Sequence, residues 1–457
     1  MAEFYLDKHT MVSQSEIEWR THDEAAAILK TQTDRRPIAI VDAAPGSGKT
    51  YQVERIVHQS VDALGERCIV ATYTNAQACD LARRLTQSYP DLRLTLLVGR
   101  RFVPPPDLVA RPTLSIVSSP TNVPHGCRVV IGNAAKLSYV PSSQHHADLL
   151  IVDEAYQVPH YLFEQIGSLG DRICLVGDPG QVDPVIPAEI TEWRSDPSGP
   201  HVPCPQALRH RFPHAAYRTL SVTRRLTADT AAVVRQCFYP HLSFDALYDH
   251  RDRRLQLSRL PGMIIDQPLD ALTSGASLVM ASLPAAVMGD ADEEAADVIA
   301  AVILRLLERQ AVLVEQGTEH RLQPQDIGVV CAHIAQVTAV RQRLPLDGVY
   351  VETVERIQGL ERAIVVAHHP LAGRQNVDAF HTNPGRMCVM TSRHRIGCLI
   401  VARAGIATLL DRNPPVGDHA LGCADDGAGY RGWLAHRFLL QTLEEQNRVF
   451  TLQGSGR

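Results

Sequence analysis

The chain has 457 residues, 45% of them hydrophobic and 21% charged, with a formal charge of -5 and a pI near 6.5. That length accommodates two or three globular domains, each able to bury its own core. The charge excludes a globally basic coat of the kind that binds nucleic acid indiscriminately, so partners have to be read from local sites.

The N-terminus, MAEFYLDKHTMVSQSEIEWR, carries acids and no apolar signal core, and no apolar run approaches a membrane span. A cytoplasmic protein without membrane anchoring is expected. The ten cysteines form no C-x-x-C pair and no Cys/His cluster at zinc spacing, which predicts reduced thiols rather than disulfides or a structural metal. Only Lys8, Lys30, Lys49 and Lys136 are lysines, so a lysine inside a glycine-rich loop stands out.

Residues 38–42, IAIVD, form an apolar run that ends in APGSGKT, and TYQVERIVHQSVDAL after it has helical apolar spacing. The unit reads as strand, loop, helix. RCIVATYT, RVVIGNA, DLLIVDEA and RICLVGDP repeat the strand pattern between helical segments such as NAQACDLARRLTQSY, which predicts a parallel sheet with helices on both faces. The short, proline-rich stretch at 86–127, between RCIVATYT and RVVIGNA, predicts a small flap rather than an extra domain. A stretch rich in Pro, His and Arg at 184–213 reads as a linker. Beyond it, SLVMASL, DIGVVCA, VYVETV, AIVVAH and CLIVARAG predict a second α/β domain, with a helical tail after residue 410. The domains expected are 1–215, 216–410 and a helical extension at 411–457.

In Ala44, Pro45, Gly46, Ser47, Gly48, Lys49 and Thr50, the two glycines permit a turn whose amides point at a phosphate, and the following helix adds its positive end. Lys49 is expected on the terminal phosphates and Thr50 on Mg2+. Ala43 stands where the usual pattern begins with glycine. LLIVDEAYQ ends a strand in two carboxylates, which assigns Asp153 to the metal and Glu154 to activating water. A P-loop ATPase using ATP and Mg2+ is the expectation.

With APGSGKT, DEAYQ and LVGDPGQVDPV in that order, the chain resembles the superfamily 1 helicases, and its pattern is closest to the 5′-to-3′ subclass that includes the nonsense-mediated-decay RNA helicase. The likeness continues through ATYTNAQACDLARRL, LSVTRRLTADTAAVVRQCFY, VETVERIQGLERAIVVAH and GRMCVMTSRHRIGCLIV, covering roughly residues 35–405. It implies two RecA-like domains in tandem, with parallel sheets flanked by helices. It further implies that Gln181 links the γ-phosphate to the nucleic-acid groove, that Arg225 and Arg393 reach it across the cleft, and that Glu361 contacts the ribose. By motif position, Thr74, Asn75, Asn133, Lys136, Gln336 and Thr353 would hold single-stranded RNA or DNA. The segment EWRTHDEAAAILKTQTDRRP has no adenine-reading glutamine, which leaves purine selectivity open, and His394 has no assigned role.

The expected activity is therefore that of an ATP-dependent helicase or translocase, plausibly monomeric and moving 5′ to 3′. Two alternatives share parts of the pattern. One is a nucleic-acid-stimulated ATPase that remodels complexes or senses nucleic acid without unwinding. The other is a phosphotransferase or nucleotide switch that uses only the P-loop.

Overall fold

The computed structural model describes residues 14–184, 186, 189–193, 195–415 and 428–452. Among these, the first unit is built on strands β1 (Ile38–Ala43), β2 (Cys68–Thr72), β3 (Leu94–Leu97), β4 (Leu114–Val117), β5 (Val129–Asn133), β6 (Ala147–Asp153), β7 (Gly170–Gly177) and β8 (Ala216–Leu220). They pair in the order β4-β3-β5-β2-β6-β7-β1-β8, every pair parallel. The central strands are buried at all but single positions near their starts, which is why they read in the sequence as continuous apolar runs rather than alternating ones.

The second unit opens with β9 (Val222–Thr227), β10 (Asp245–Tyr248) and β11 (Arg253–Gln256) and continues through β12 (Leu278–Leu283), β13 (Val312–Glu315), β14 (Thr318–Arg321), β15 (Ile327–Cys331), β16 (Tyr350–Thr353), β17 (Arg362–His368) and β18 (His394–Arg403). Its last strand is β19 (Val449–Thr451). Its main sheet is parallel in the order β16-β15-β17-β18-β12-β19; β9 pairs with β10, and β11, β13 and β14 make a small antiparallel sheet. The fold is therefore two RecA-like α/β domains in tandem.

The boundaries differ from the sequence expectation in two places. β8 lies beyond residue 215 yet closes the first sheet against β1, with Ala39 opposite Ala216 and Ala43 opposite Leu220. The tail is helical over Ala428–Glu445, as expected, but not appended: Leu439 and Leu443 are fully buried in the second core, and β19 pairs with β12. Three-residue pairing carries too little periodicity to be legible locally. Nor is the region after the Asn75–Ser88 helix only a flap, since it supplies β3 and the edge strand β4. No described helix is long and apolar enough to cross a membrane.

The two units meet in a shared apolar floor. Ala44 and Val182 of the first lie in the same buried cluster as Leu226, Tyr239 and Met387 of the second. That contact holds the ends of β1 and β7 against β9 and the helix Pro384–Thr391, where the polar groups converge.

Candidate nucleotide site

β1 delivers the loop Ala44–Gly48, and the helix Lys49–His58 leaves it. Gly46 and Gly48 have φ of 72° and 88°, in the region that only glycine enters cheaply. Gly46 is also crowded, because a Cβ there would collide with Cβ of Arg225. β9 rides directly on the loop: Thr223 Oγ1 donates to the Pro45 carbonyl at 2.6 Å, and the Arg224 amide to that of Gly46 at 2.9 Å. The second domain is thus fastened to the backbone of the first at the loop itself.

Lys49 is buried, with Nζ 3.8 Å from Glu154 Oε1 and 3.7 Å from Asp178 Oδ2. Asp153 ends β6 and Glu154 follows it in a left-handed backbone, φ 53°, a strain that turns its carboxylate toward the lysine. Burial pushes the Asp153 carboxyl up to about 7, Glu154 adding to the shift and Lys49 opposing it. An acid held this way is short of a cation, and the hard oxygens of Asp153 and Thr50 suit Mg2+.

Asp178 went unassigned in the sequence. It comes directly after β7, while Asp153 is the last residue of the adjacent parallel strand β6, and that likeness was the available signal. Its carboxylate is nearly inaccessible and accepts from Tyr239 OH at 2.7 Å, the Gly180 amide at 3.1 Å and Gln181 Nε2 at 3.0 Å. Gln181 in turn accepts on Oε1 from Gln157 at 3.3 Å and from Gln358 of the second domain at 2.6 Å.

From the other side come two arginines. Arg225 Nε donates to Glu361 Oε2 at 2.8 Å, and Nη1 to the Ser392 carbonyl at 3.2 Å. Burial works to raise the Glu361 carboxyl, but Arg225 and then Arg395 hold it below the usual range. Arg393 is only 2% exposed, and its Nε and Nη2 have no hydrogen-bond partner. Burial and the nearby Arg225 lower its pKa, while Asp178 and Glu154 attract it. A buried guanidinium with unmade hydrogen bonds is costly unless an anion completes it. Ser47 Oγ, on the P-loop, is likewise buried without a partner. These orphaned donors, with Lys49 between them and the loop amides, fit a polyphosphate.

His394, beside Arg393, is fully buried with Nε2 3.3 Å from Thr230 Oγ1. Burial drops its pKa to about 4, so it adds no charge next to the arginines. It is a packing residue.

The candidates for strand contact divide. Thr74 is exposed and caps the helix Asn75–Ser88. Asn75 Oδ1 accepts from Asn133 Nδ2 at 2.5 Å; Asn133 ends β5, and Asn75 opens the helix that follows the neighbouring strand β2. Asn133 also accepts from the Lys136 amide, while Lys136 Nζ donates to the Ser118 carbonyl at 2.9 Å. Thr353 ends β16 with its hydroxyl free of a capping bond. Gln336 corrects the expectation: it is fully buried and both ends of its amide are taken by the Asp292 backbone, at 2.6 and 3.1 Å. No surface strand reaches it as the chain is folded.

The fold and this cleft define a two-domain P-loop protein whose candidate site draws charged groups from both domains. Residues 24–187 match a family model described as an AAA domain, and residues 215–405 match a second of the same description, so the chain carries two AAA domains in tandem. No curated protein matches it by sequence. Among solved structures it is similar to the Arterivirus nonstructural protein 10 helicase, at 16% identity and a TM-score of 0.43 over 83% of this chain and 61% of that one. The same helicase in complex with DNA gives 16% and 0.42, over 85% and 65%. The DUF1998 helicase MrfA bound to DNA and AMPPNP gives 10% and 0.40, over 86% and 50%. The chain thus spans less than two thirds of each of these structures.

Proposed function

We propose that the protein is an ATP-driven helicase or translocase of the superfamily 1 type, hydrolysing ATP in the cleft between its two domains while holding a single strand of RNA or DNA. The observation that carries the reading is Arg393, a buried and incompletely bonded guanidinium of the second domain attracted by Asp178 and Glu154, the same two carboxylates that flank Lys49 in the first. A phosphotransferase confined to the P-loop gives that arginine and Arg225 nothing to do.

In this reading the amides of Ala44–Thr50 and Nζ of Lys49 hold the phosphates, and Asp153 with Thr50 holds Mg2+. Bound Mg2+ supplies positive charge that makes the terminal phosphate a better electrophile. Glu154 takes the proton of the attacking water; its fixed backbone keeps it beside Lys49. Arg225 and Arg393 neutralise charge that builds on the γ-phosphate oxygens, and both come from the second domain, so hydrolysis depends on closure. Gln181, bonded to both domains, reports that closure. Thr74, Asn75 and Asn133 on the first domain, and Thr353 on the second, line the strand face at the C-terminal strand ends; Lys136 joins them once released from Ser118. We assign the division between the domains to the segment after Leu220, and 5′-to-3′ movement by a monomer is the working expectation.

The deciding experiment measures ATP hydrolysis with and without single-stranded RNA or DNA, then unwinding of duplexes tailed at either end. Stimulation by a strand and loss of hydrolysis in a folded Lys49→Ala variant are expected. Hydrolysis indifferent to any strand sinks the motor reading and favours a nucleotide switch; stimulation without unwinding favours the remodelling ATPase.

A further inference from the structure

We propose that Gln77 and Gln157 are positioning residues that carry the state of the strand face to the phosphate site through one directional chain of amide hydrogen bonds. The proposal rests on the function given above and adds the route by which a bound strand regulates the cleft.

The chain begins at the surface. The backbone amides of Tyr73 and Thr74 donate to Gln77 Oε1 at 3.1 and 2.9 Å. Gln77 Nε2 donates to Gln157 Oε1 at 3.2 Å, and Gln157 Nε2 to Gln181 Oε1 at 3.3 Å. Gln181 Nε2 donates to Asp178 Oδ2 at 3.0 Å, and the same oxygen lies 3.7 Å from Lys49 Nζ. Four segments far apart in the sequence are joined in this way, from an exposed helix cap to the P-loop lysine. Gln157 and Gln181 are each only 6% exposed, so water cannot substitute freely for a broken link.

Direction gives the chain its capacity to signal. A primary amide has one donating and one accepting end, so every link fixes the orientation of the next, and aligned links polarise one another. Reversing any amide brings two oxygens or two NH2 groups together. At Gln181 the chain meets a competitor, because Gln358 of the second domain donates to the same Oε1 at 2.6 Å. A strand phosphate that accepts the Thr74 amide takes a donor away from Gln77 Oε1. The pull on Gln157 then slackens and Gln181 is left to Gln358, which tightens the contact between the domains. Strand occupancy and cleft closure thereby share one free energy.

Gln77 also closes a capping box with Thr74, and that local role has to be separated from the relay. Gln77→Glu does so: a glutamate at this position of a capping box still accepts the two amides but cannot donate to Gln157. The full chain is assayed for ATP hydrolysis with saturating oligothymidylate and oligouridylate, together with its thermal midpoint. We expect Gln77→Glu to keep the thermal midpoint and the strand-free rate within about twofold while the strand-induced rise in kcat falls about tenfold, the size of an ordinary coupling. Gln157→Leu, which cuts the chain away from the surface, is expected to lose the same stimulation, and the double variant to lose no more than either single one. Full stimulation in either variant, or losses that multiply in the double, overturns the relay while leaving the motor reading intact. A wild-type protein that neither oligonucleotide stimulates overturns both.

Discussion

Arg225 on β9 and Glu361 in the turn before β17 are joined by a 2.8 Å hydrogen bond, so the guanidinium expected at the γ-phosphate is tethered within its own domain. The tether and a ribose contact at Glu361 lead to different kinetics. If Glu361 aims Arg225, Glu361→Ala lowers kcat about tenfold, the worth of one charge-assisted hydrogen bond, with nucleotide affinity little changed. Steady-state rates and a nucleotide titration separate the cases; weakened affinity with unchanged kcat returns Glu361 to the ribose.

Gly385, in the first turn of the helix Pro384–Thr391, faces the other domain. A Cβ there would lie 2.5 Å from the Gln181 carbonyl oxygen and 2.7 Å from Val182 Cα, and these are backbone atoms that cannot swing aside. Gly385→Ala is expected to destabilise the protein by about 1–3 kcal/mol through overpacking, and to slow hydrolysis by wedging the cleft. Urea unfolding and a rate measurement suffice; wild-type values in both would mean the interface yields easily.

Gln336 provides a negative control for the strand face. Its amide is fully buried and satisfied by the Asp292 backbone, so Gln336→Ala leaves the Asp292 amide without a partner, while the Asp292 carbonyl keeps only the Ala296 amide. A stability loss of about 1–3 kcal/mol is expected with strand affinity unchanged. Reduced affinity in a variant of normal stability would restore Gln336 to the groove.

Acid should unlock the second domain at Asp266. Hydrogen bonds from Arg305 hold its carboxyl down at about 2, against an ordinary 3.8, with Arg309 as a second partner. Since the folded state lowers this pKa, the stabilisation is present above about pH 4 and disappears as pH falls through about 2. Asp266→Asn is therefore expected to lower the thermal midpoint at pH 7 and to match the wild type near pH 2. A gap that persists undiminished in acid would assign the stabilisation to shape rather than charge.

Much of the candidate nucleotide site was legible because its signals are local. The loop Ala44–Thr50, bounded by a buried strand and a helix, and the carboxylates Asp153 and Glu154 closing another such strand, are properties of consecutive residues. Asp178 escaped although it sits in the same kind of place, since a lone Asp before proline and glycine also reads as a turn. Gln336 was misplaced for the opposite reason: its position after a strand suits a surface contact, and only the Asp292 backbone, 44 residues away, takes its amide inward.

What the sequence determined by itself is the set of short-range devices: a turn that only glycine permits, strands buried on both faces, helices that cover them, and therefore the tandem α/β architecture. Tertiary structure alone decided that Arg393 is buried with donors to spare, that β8 and β19 complete sheets from outside the expected boundaries, and that Gln77, Gln157, Gln181 and Gln358 meet. The reason is physical. Backbone preference and apolar period act between neighbours in the chain, whereas the burial of a charge and the pairing of one amide with another depend on segments brought together only after both sheets have packed.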